Sequence, residues 1–209
     1  MAQLSLFDGD IPKLVGMVFN PNWSNEDTFL RELVLNASDA LCRIKQGSDP
    51  GEAAAHPELF IRIVPDKENR TLTIEDNGIG MTSAELAFTL GAVARSDSKH
   101  FLELTDGPNR RFGIGFYSVF VVSDKVCVIS KNNFDEQHIW ESDGRATFSV
   151  RKDEEMLHGE IKRGTKVMCH LKADQAEFLE ETRLVALVRK YSEWVQFPRQ
   201  LDNRGGACL

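Results

Sequence analysis

Between Val126 and Leu171 the chain carries four short runs rich in β-branched and aromatic residues: Val126–Ser130, His138–Glu141, Thr147–Arg151 and Thr165–Leu171. Such runs, bounded by turn-forming residues, predict strands. An earlier pair, Phe60–Val64 and Thr71–Glu75, flanks the turn-like Pro65–Arg70 and reads as a hairpin. Strands that mostly follow one another, rather than alternating with helices, predict an α+β layered sandwich and not a series of βαβ units.

Helical patterns cover Asn25–Gln46, Ser83–Leu90, Ile114–Val122 and Glu177–Gln196. In the last, Leu184, Val185, Leu187, Val188, Tyr191, Trp194 and Val195 form the broad apolar stripe of a core-facing helix. At 209 residues one hydrophobic core suffices, so a single domain over residues 1–209 is expected. Acidic residues outnumber basic ones 32 to 25, giving a net charge of -7, which argues against nucleic acid bound through the overall field. There is no run of 18 apolar residues, and the N-terminus has neither a basic leader nor an export-length apolar stretch. Those features predict a cytoplasmic protein without membrane contact. Cys42, Cys127, Cys169 and Cys208 show no Cys-x-x-Cys spacing and read as packing or surface thiols in a reducing compartment.

Four segments carry candidate chemistry. Glu32, Asn36, Asp39 and Arg43 are spaced four, three and four residues apart, which puts them in one stripe of the first helix. Leu30, Leu33, Val34, Ala37, Leu41 and Ile44 fall on the opposite side. An ordinary amphipathic helix explains this as well, but Asn36 is an indifferent helix former at a mid-helix position. A carboxylate one turn from an amide suits activation of water beside a metal-bound phosphate.

The second segment, Asp76-Asn77-Gly78-Ile79-Gly80-Met81, follows a strand, and Thr82-Ser83-Ala84-Glu85 has the form of a capping box opening a helix. It is either a tight turn alone or a turn whose Asp76 points a carboxylate inward to accept from an exocyclic amine. The third, Arg110-Arg111-Phe112-Gly113-Ile114-Gly115-Phe116, is a basic, glycine-containing run at a helix start, where free N–H groups favour phosphate. Its spacing fits neither a Walker loop nor a dinucleotide fingerprint. The fourth, Arg163-Gly164-Thr165, leads into an apolar strand and reads more readily as a turn than as a ligand contact.

In this order the four segments together resemble the nucleotide-binding motifs of the heat-shock protein 90 family, within a wider class shared with DNA gyrase, histidine kinases and mismatch-repair ATPases. The resemblance runs from about Leu14 to Leu201. It is closest in Phe29–Leu41, Asp76–Met81, Phe112–Ser118 and Ile139-Trp140-Glu141-Ser142. It implies a two-layer α/β sandwich, with a mostly antiparallel sheet covered on one face by helices, that binds ATP or ADP with Mg²⁺.

The resemblance also assigns residues. Glu32 would be the general base and Asn36 the residue that helps hold Mg²⁺, while Asp76 would take the adenine amino group with Thr165 assisting through water. Leu33, Ala40, Gly80, Met81, Leu90 and Phe116 would line the nucleotide. Asp39 and Arg43 would sit at its polar rim, and Gly113 and Gly115 would approach the phosphates. Residues 91–111 would form a lid, with Arg111 a further phosphate contact.

The chain departs from the family at Thr89, Asp97 and Arg111, where asparagine, glycine and glutamine are usual. The implied activity is that of an ATP-dependent chaperone acting on client proteins with co-chaperones. It would be a homodimer at full length and a monomer as this domain alone, with the family's middle and C-terminal domains lacking here. A non-hydrolysing regulatory module, or the ATPase domain of a topoisomerase or mismatch-repair enzyme, stands as the alternative.

Overall fold

The computed structural model describes residues 3–6, 27–47, 58–91, 115–145, 147–190, 199–201 and 207–208. Nine strands form one sheet in the order β1-β6-β5-β4-β7-β3-β2-β8-β9. They are β1 (Gln3–Leu6), β2 (Ile61–Asp66), β3 (Thr71–Asp76), β4 (Ser123–Lys131), β5 (His138–Ser142), β6 (Thr147–Lys152), β7 (Gly164–Leu171), β8 (Arg199–Leu201) and β9 (Ala207–Cys208). All neighbouring pairs are antiparallel except β2 with β8. The six strands expected from β-branched runs are present within a few residues of their expected ends. The short β1, β8 and β9 were not expected.

The helices are α1 (Thr28–Gly47), α2 (Ser83–Gly91), the single turn α3 (Val119–Val122) and α4 (Glu181–Lys190). Tighter 3₁₀ turns precede two of them, at Gly115–Ser118 and Ala173–Leu179. The expected single helix over Glu177–Gln196 is therefore divided. Glu180 adopts an extended conformation (φ -82°, ψ 125°) and its N–H closes onto the Glu177 carbonyl, which ends one helical segment before α4 begins. Tyr191, Trp194 and Val195 lie outside the described residues.

Period-two alternation places one face of each central strand against the helices. Ile61, Ile63, Leu72, Ile74, Val126, Val128, Trp140, Phe148, Cys169 and Leu171 join the apolar stripes of α1, α2, α3 and α4 in one core cluster. All six apolar residues expected on the inner side of α1, from Leu30 to Ile44, are buried. Phe29 meets Phe178 edge to face with ring centroids 5.0 Å apart, tying α1 to the turn before α4. A smaller cluster of Cys127, Ile129, Ile139 and Ile161 lies apart from this core, and its first three members occupy strand positions of the opposite parity. The helices thus share one layer and the sheet forms the other, as the resemblance implied.

Candidate functional site

The capping box forms as its sequence suggests. The Thr82 N–H donates to Glu85 Oε2 at 2.8 Å, and the Glu85 N–H returns to Thr82 Oγ1 at 3.2 Å. Asp135, from the β4–β5 turn, accepts from the Ser83 N–H at 2.7 Å and fixes the start of α2 to the sheet. The segment between β3 and α2 is thereby held at both ends.

Asp76 is the last residue of β3, and alternation turns it to the helix side after Leu72 and Ile74. Its carboxylate is buried and accepts from the Gly78 N–H at 2.8 Å. Burial pushes its pKa up to about 7, against the opposing pull of the Gly78 amide; Glu75 adds to the rise, and the Thr165 amide and the Arg163 charge oppose it. Strongly raised, buried carboxylates of this kind cluster at functional sites, which marks Asp76 as a candidate ligand acceptor.

Backbone contacts that only glycine permits shape the turn after Asp76. Gly80 has φ +67°, and a Cβ there would run into the Lys131 carbonyl. Gly164 has φ +121°, and its Cβ would strike the Asp76 carbonyl oxygen. At Gly78 a Cβ would come within 2.7 Å of Ala40, whose carbonyl accepts from the Ile79 N–H at 3.2 Å. Helix α1 therefore rests directly on the turn that follows Asp76.

Three residues the sequence did not single out as site residues complete this corner. Arg163 donates to the Gly78 carbonyl at 3.0 Å and to the Asn77 carbonyl at 3.0 Å. The Asn77 amide accepts from the Phe60 N–H and donates to the Glu58 carbonyl, fastening the turn to the start of β2. Ser130, fully buried on β4, accepts from the Met81 N–H at 2.8 Å and lies 2.8 Å from Thr165 Oγ1. Asp76, Thr165 and Ser130 are register partners across β3, β7 and β4, which makes a row of polar groups on the buried side of the sheet. Register is a long-range property, and only the polar Ser130 at the end of the apolar run Val126-Cys127-Val128-Ile129 hinted at it.

On α1, Glu32 accepts from Arg31 at 2.8 Å, and its carboxylate lies against Gly115, where any Cβ would collide with it. Glu32 thus stands against the last glycine of the Arg110–Phe116 run. One turn further on, Asn36 Oδ1 is buried and has no hydrogen-bond partner among the described residues. An amide oxygen left in that state is costly unless a ligand completes it, and oxygen donors suit Mg²⁺. The fit of Asn36 to a metal-linked phosphate is therefore good.

Asp39 and Ala40 are half-buried and Arg43 is exposed on the same helix. Leu33, Leu90 and Phe116 are buried together in the core cluster, with Met81 packed against it. The Tyr117 hydroxyl donates to the Leu90 carbonyl at 2.7 Å, so the end of α2 is tied to the turn that starts at Gly115. Arg111, Gly113 and most of the expected lid, residues 92–111, lie outside the described residues. No group of three or more metal-ligating side chains occurs among the described residues, nor any helix long and apolar enough to cross a membrane.

A mostly antiparallel sheet with helices on one face defines the class of α+β sandwiches, and here a buried acceptor carboxylate lies beneath the polar stripe of the first helix. The family model for the histidine kinase-, DNA gyrase B-, and HSP90-like ATPases matches residues 26–170. The endoplasmin homolog of Hordeum vulgare is 41% identical over 204 residues, covering 92% of this chain and 25% of that protein. The chaperone protein HtpG of Nitratidesulfovibrio vulgaris is 40% identical over 213 residues, covering 94% and 33%. A putative heat shock protein HSP 90-beta-3 of Homo sapiens is 40% identical over 195 residues, covering 92% and 29%. The chain belongs to the histidine kinase-, DNA gyrase B- and HSP90-like ATPase family, in its heat-shock protein 90 branch. It spans about a quarter to a third of the length of these curated relatives.

Proposed function

We propose that this chain binds ATP and ADP in the corner between α1 and the β3–α2 turn and hydrolyses ATP slowly, as the nucleotide domain of a molecular chaperone. The observation that carries this reading is the coincidence, under one helix, of a buried titratable acceptor at Asp76 and an unsatisfied amide oxygen at Asn36. Asp76 accepts from the amino group of adenine; guanine presents an oxygen at the same position and is refused, because two acceptors facing each other leave both unpaired. Thr165, beside Asp76 in the register, assists through its hydroxyl.

Asn36 would hold Mg²⁺ through Oδ1, and the bound ion would supply charge neutralisation at the phosphates. Glu32 takes the proton from the attacking water, and Gly115 leaves room for its carboxylate to stand beside the phosphate-binding segment. Arg111 and Gly113 add phosphate contacts, and residues 91–111 close over the nucleotide. A cation over the developing charge is worth about 10³–10⁵ in rate in phosphate-transfer enzymes, and the slow rate proposed here is that of a pocket in which no side chain is assigned to that role. In the wider protein, a homodimer acting on clients with co-chaperones, the nucleotide biases the working cycle by binding one state more tightly. The free thiols of Cys42, Cys127 and Cys169 support a reducing compartment such as the cytoplasm, and the net charge of -7 supports a role without nucleic acid.

Calorimetric titration with ADP, with and without Mg²⁺, tests the reading on the parent chain and on Asn36→Ala. Binding by the parent should strengthen with Mg²⁺, and the variant should lose that increment. An equal Mg²⁺ increment in both proteins removes Asn36 from the metal.

A further inference from the structure

Five large apolar side chains stand exposed among the described residues: Ile79, Phe88, Phe134, Met156 and Leu157. They are not scattered. Ile79 follows the end of β3, Phe134 lies between β4 and β5, Met156 and Leu157 lie between β6 and β7, and Phe88 is on α2. The three connections leave the sheet at one end, because the register pairs Asp76 with Thr165, Lys131 with Gly164, Ser130 with His138 and His138 with Lys152.

Hydrogen bonds fasten these connections to one another. The Asn132 side chain accepts from the Phe134 N–H at 2.9 Å and donates to the Ile79 carbonyl at 3.1 Å, so the Phe134 turn rests on the Ile79 turn. Asp135 binds the Ser83 N–H at the start of α2, and Phe88 lies on the exposed side of that helix, one turn beyond the exposed Ala84. Gln137 donates to the Gly159 carbonyl at 3.0 Å, and the Gly159 N–H closes onto the Met156 carbonyl, which ties in the third loop. Phe134 is 94% exposed and Phe88 72%. Rings left in water add little to folding, whereas grouped exposed apolar side chains mark contact surfaces and aromatic ones are common anchors of interfaces.

The charge around them selects the occupant. Residues 132–137 and 153–163 hold six carboxylates against two cations, and one of those cations, Arg163, is turned onto the Asn77 and Gly78 carbonyls. Glu136, Glu154, Glu155 and Glu160 are exposed. A second copy of this chain would bring the same carboxylates, and nucleic acid or an anionic bilayer would bring more negative charge. We propose that this end of the sheet docks a partner protein through a segment in which lysine or arginine is interspersed with apolar side chains. Its apolar groups cover Phe134 and Phe88 while its cations meet the carboxylates. Nucleotide binding is a separate matter, since none of these side chains is assigned to the pocket.

A labelled peptide of leucine and lysine, patterned as an amphipathic helix, is titrated with the protein by fluorescence anisotropy, beside a peptide with serine in place of leucine. The parent should bind the first about tenfold more tightly than the second. Phe88→Ser combined with Phe134→Ser, surface changes whose folding thermal melts establish, should weaken the first peptide about tenfold. Phe134→Ser alone takes its place if the pair does not fold. Glu154→Gln with Glu155→Gln should weaken binding about three- to tenfold and reduce its dependence on salt. Glu180→Gln with Glu181→Gln, by the β2–β3 turn where Glu180 meets Lys67, should leave affinity within about twofold.

No binding by the parent, equal binding of the two peptides, unchanged affinity in the phenylalanine variant, or an equal loss in both glutamate variants would overturn the proposal. So would a dimer of the parent in sedimentation velocity that Phe134→Ser abolishes, because a second copy would then be the occupant.

Discussion

Lowering the pH from 8 to 6 should weaken nucleotide binding about tenfold, and the structure assigns that loss to Asp76. Burial lifts its pKa to about 7, so the free carboxyl is about nine-tenths ionised at pH 8 and about one-tenth ionised at pH 6. The amine of adenine needs the ionised acceptor, so apparent affinity scales with the competent fraction, a change of about 1.4 kcal/mol. Stability of the unliganded protein runs the other way. The folded pKa lies above the ordinary carboxylate value, so the folded state holds an extra proton between about pH 4 and 7. Its stability therefore falls as pH rises through that window, by up to about 1.4 kcal/mol per pH unit from this group.

The assay is calorimetric titration of ADP from pH 6 to 8, with excess Mg²⁺ to keep the phosphates ionised, in two buffers of different ionisation enthalpy. At pH 7 binding should release about half a proton, the un-ionised share of Asp76. Affinity that is flat over this range, with no proton release, would refute the assignment of a raised Asp76 as the acceptor.

Glu32→Ala should retain ADP affinity within about twofold and lose whatever hydrolysis the chain performs, since a general base acts mainly in the transition state; phosphate release measured at saturating ATP checks it. Arg163→Met removes the donors to the Asn77 and Gly78 carbonyls and a favourable charge near Asp76, so the pH midpoint of ADP binding should move upward in the same titration. Gly80→Ala places a Cβ against the Lys131 carbonyl at a positive φ and should cost about 1–3 kcal/mol in chemical denaturation, with weaker ADP binding. Phe29→Ala, which empties a fully buried site beside Phe178, should cost about 3–5 kcal/mol in the same assay while sparing the pocket residues.

What the sequence disclosed was local. The apolar and polar sides of α1, the capping box at Thr82 and Glu85, and the six principal strands follow from periodicity and side-chain chemistry over a few residues. The two-residue strand at Ala207–Cys208 and the three-residue strand at Arg199–Leu201 are too short to show any alternation. Their pairing depends on the sheet edge they meet.

The division before α4 was hidden because Glu180, a good helix former, takes an extended conformation there. Within the site, Asp76 stood out through its turn, whereas Ser130 and Arg163 acquire their roles only from strand register and from the packing of β7 beside the Asp76 turn. Arg163 was visible in Arg163-Gly164-Thr165, but its bonds reach back 85 and 86 residues.

Selectivity at Asp76 decides whether this pocket is an adenine-nucleotide site. Calorimetry of ADP and GDP against the parent and Asp76→Asn, each shown to be folded, measures it. ADP should bind the parent, GDP should not, and ADP binding should vanish in Asp76→Asn. Equal affinity for ADP and GDP, or undiminished ADP binding by a folded Asp76→Asn protein, would contradict it.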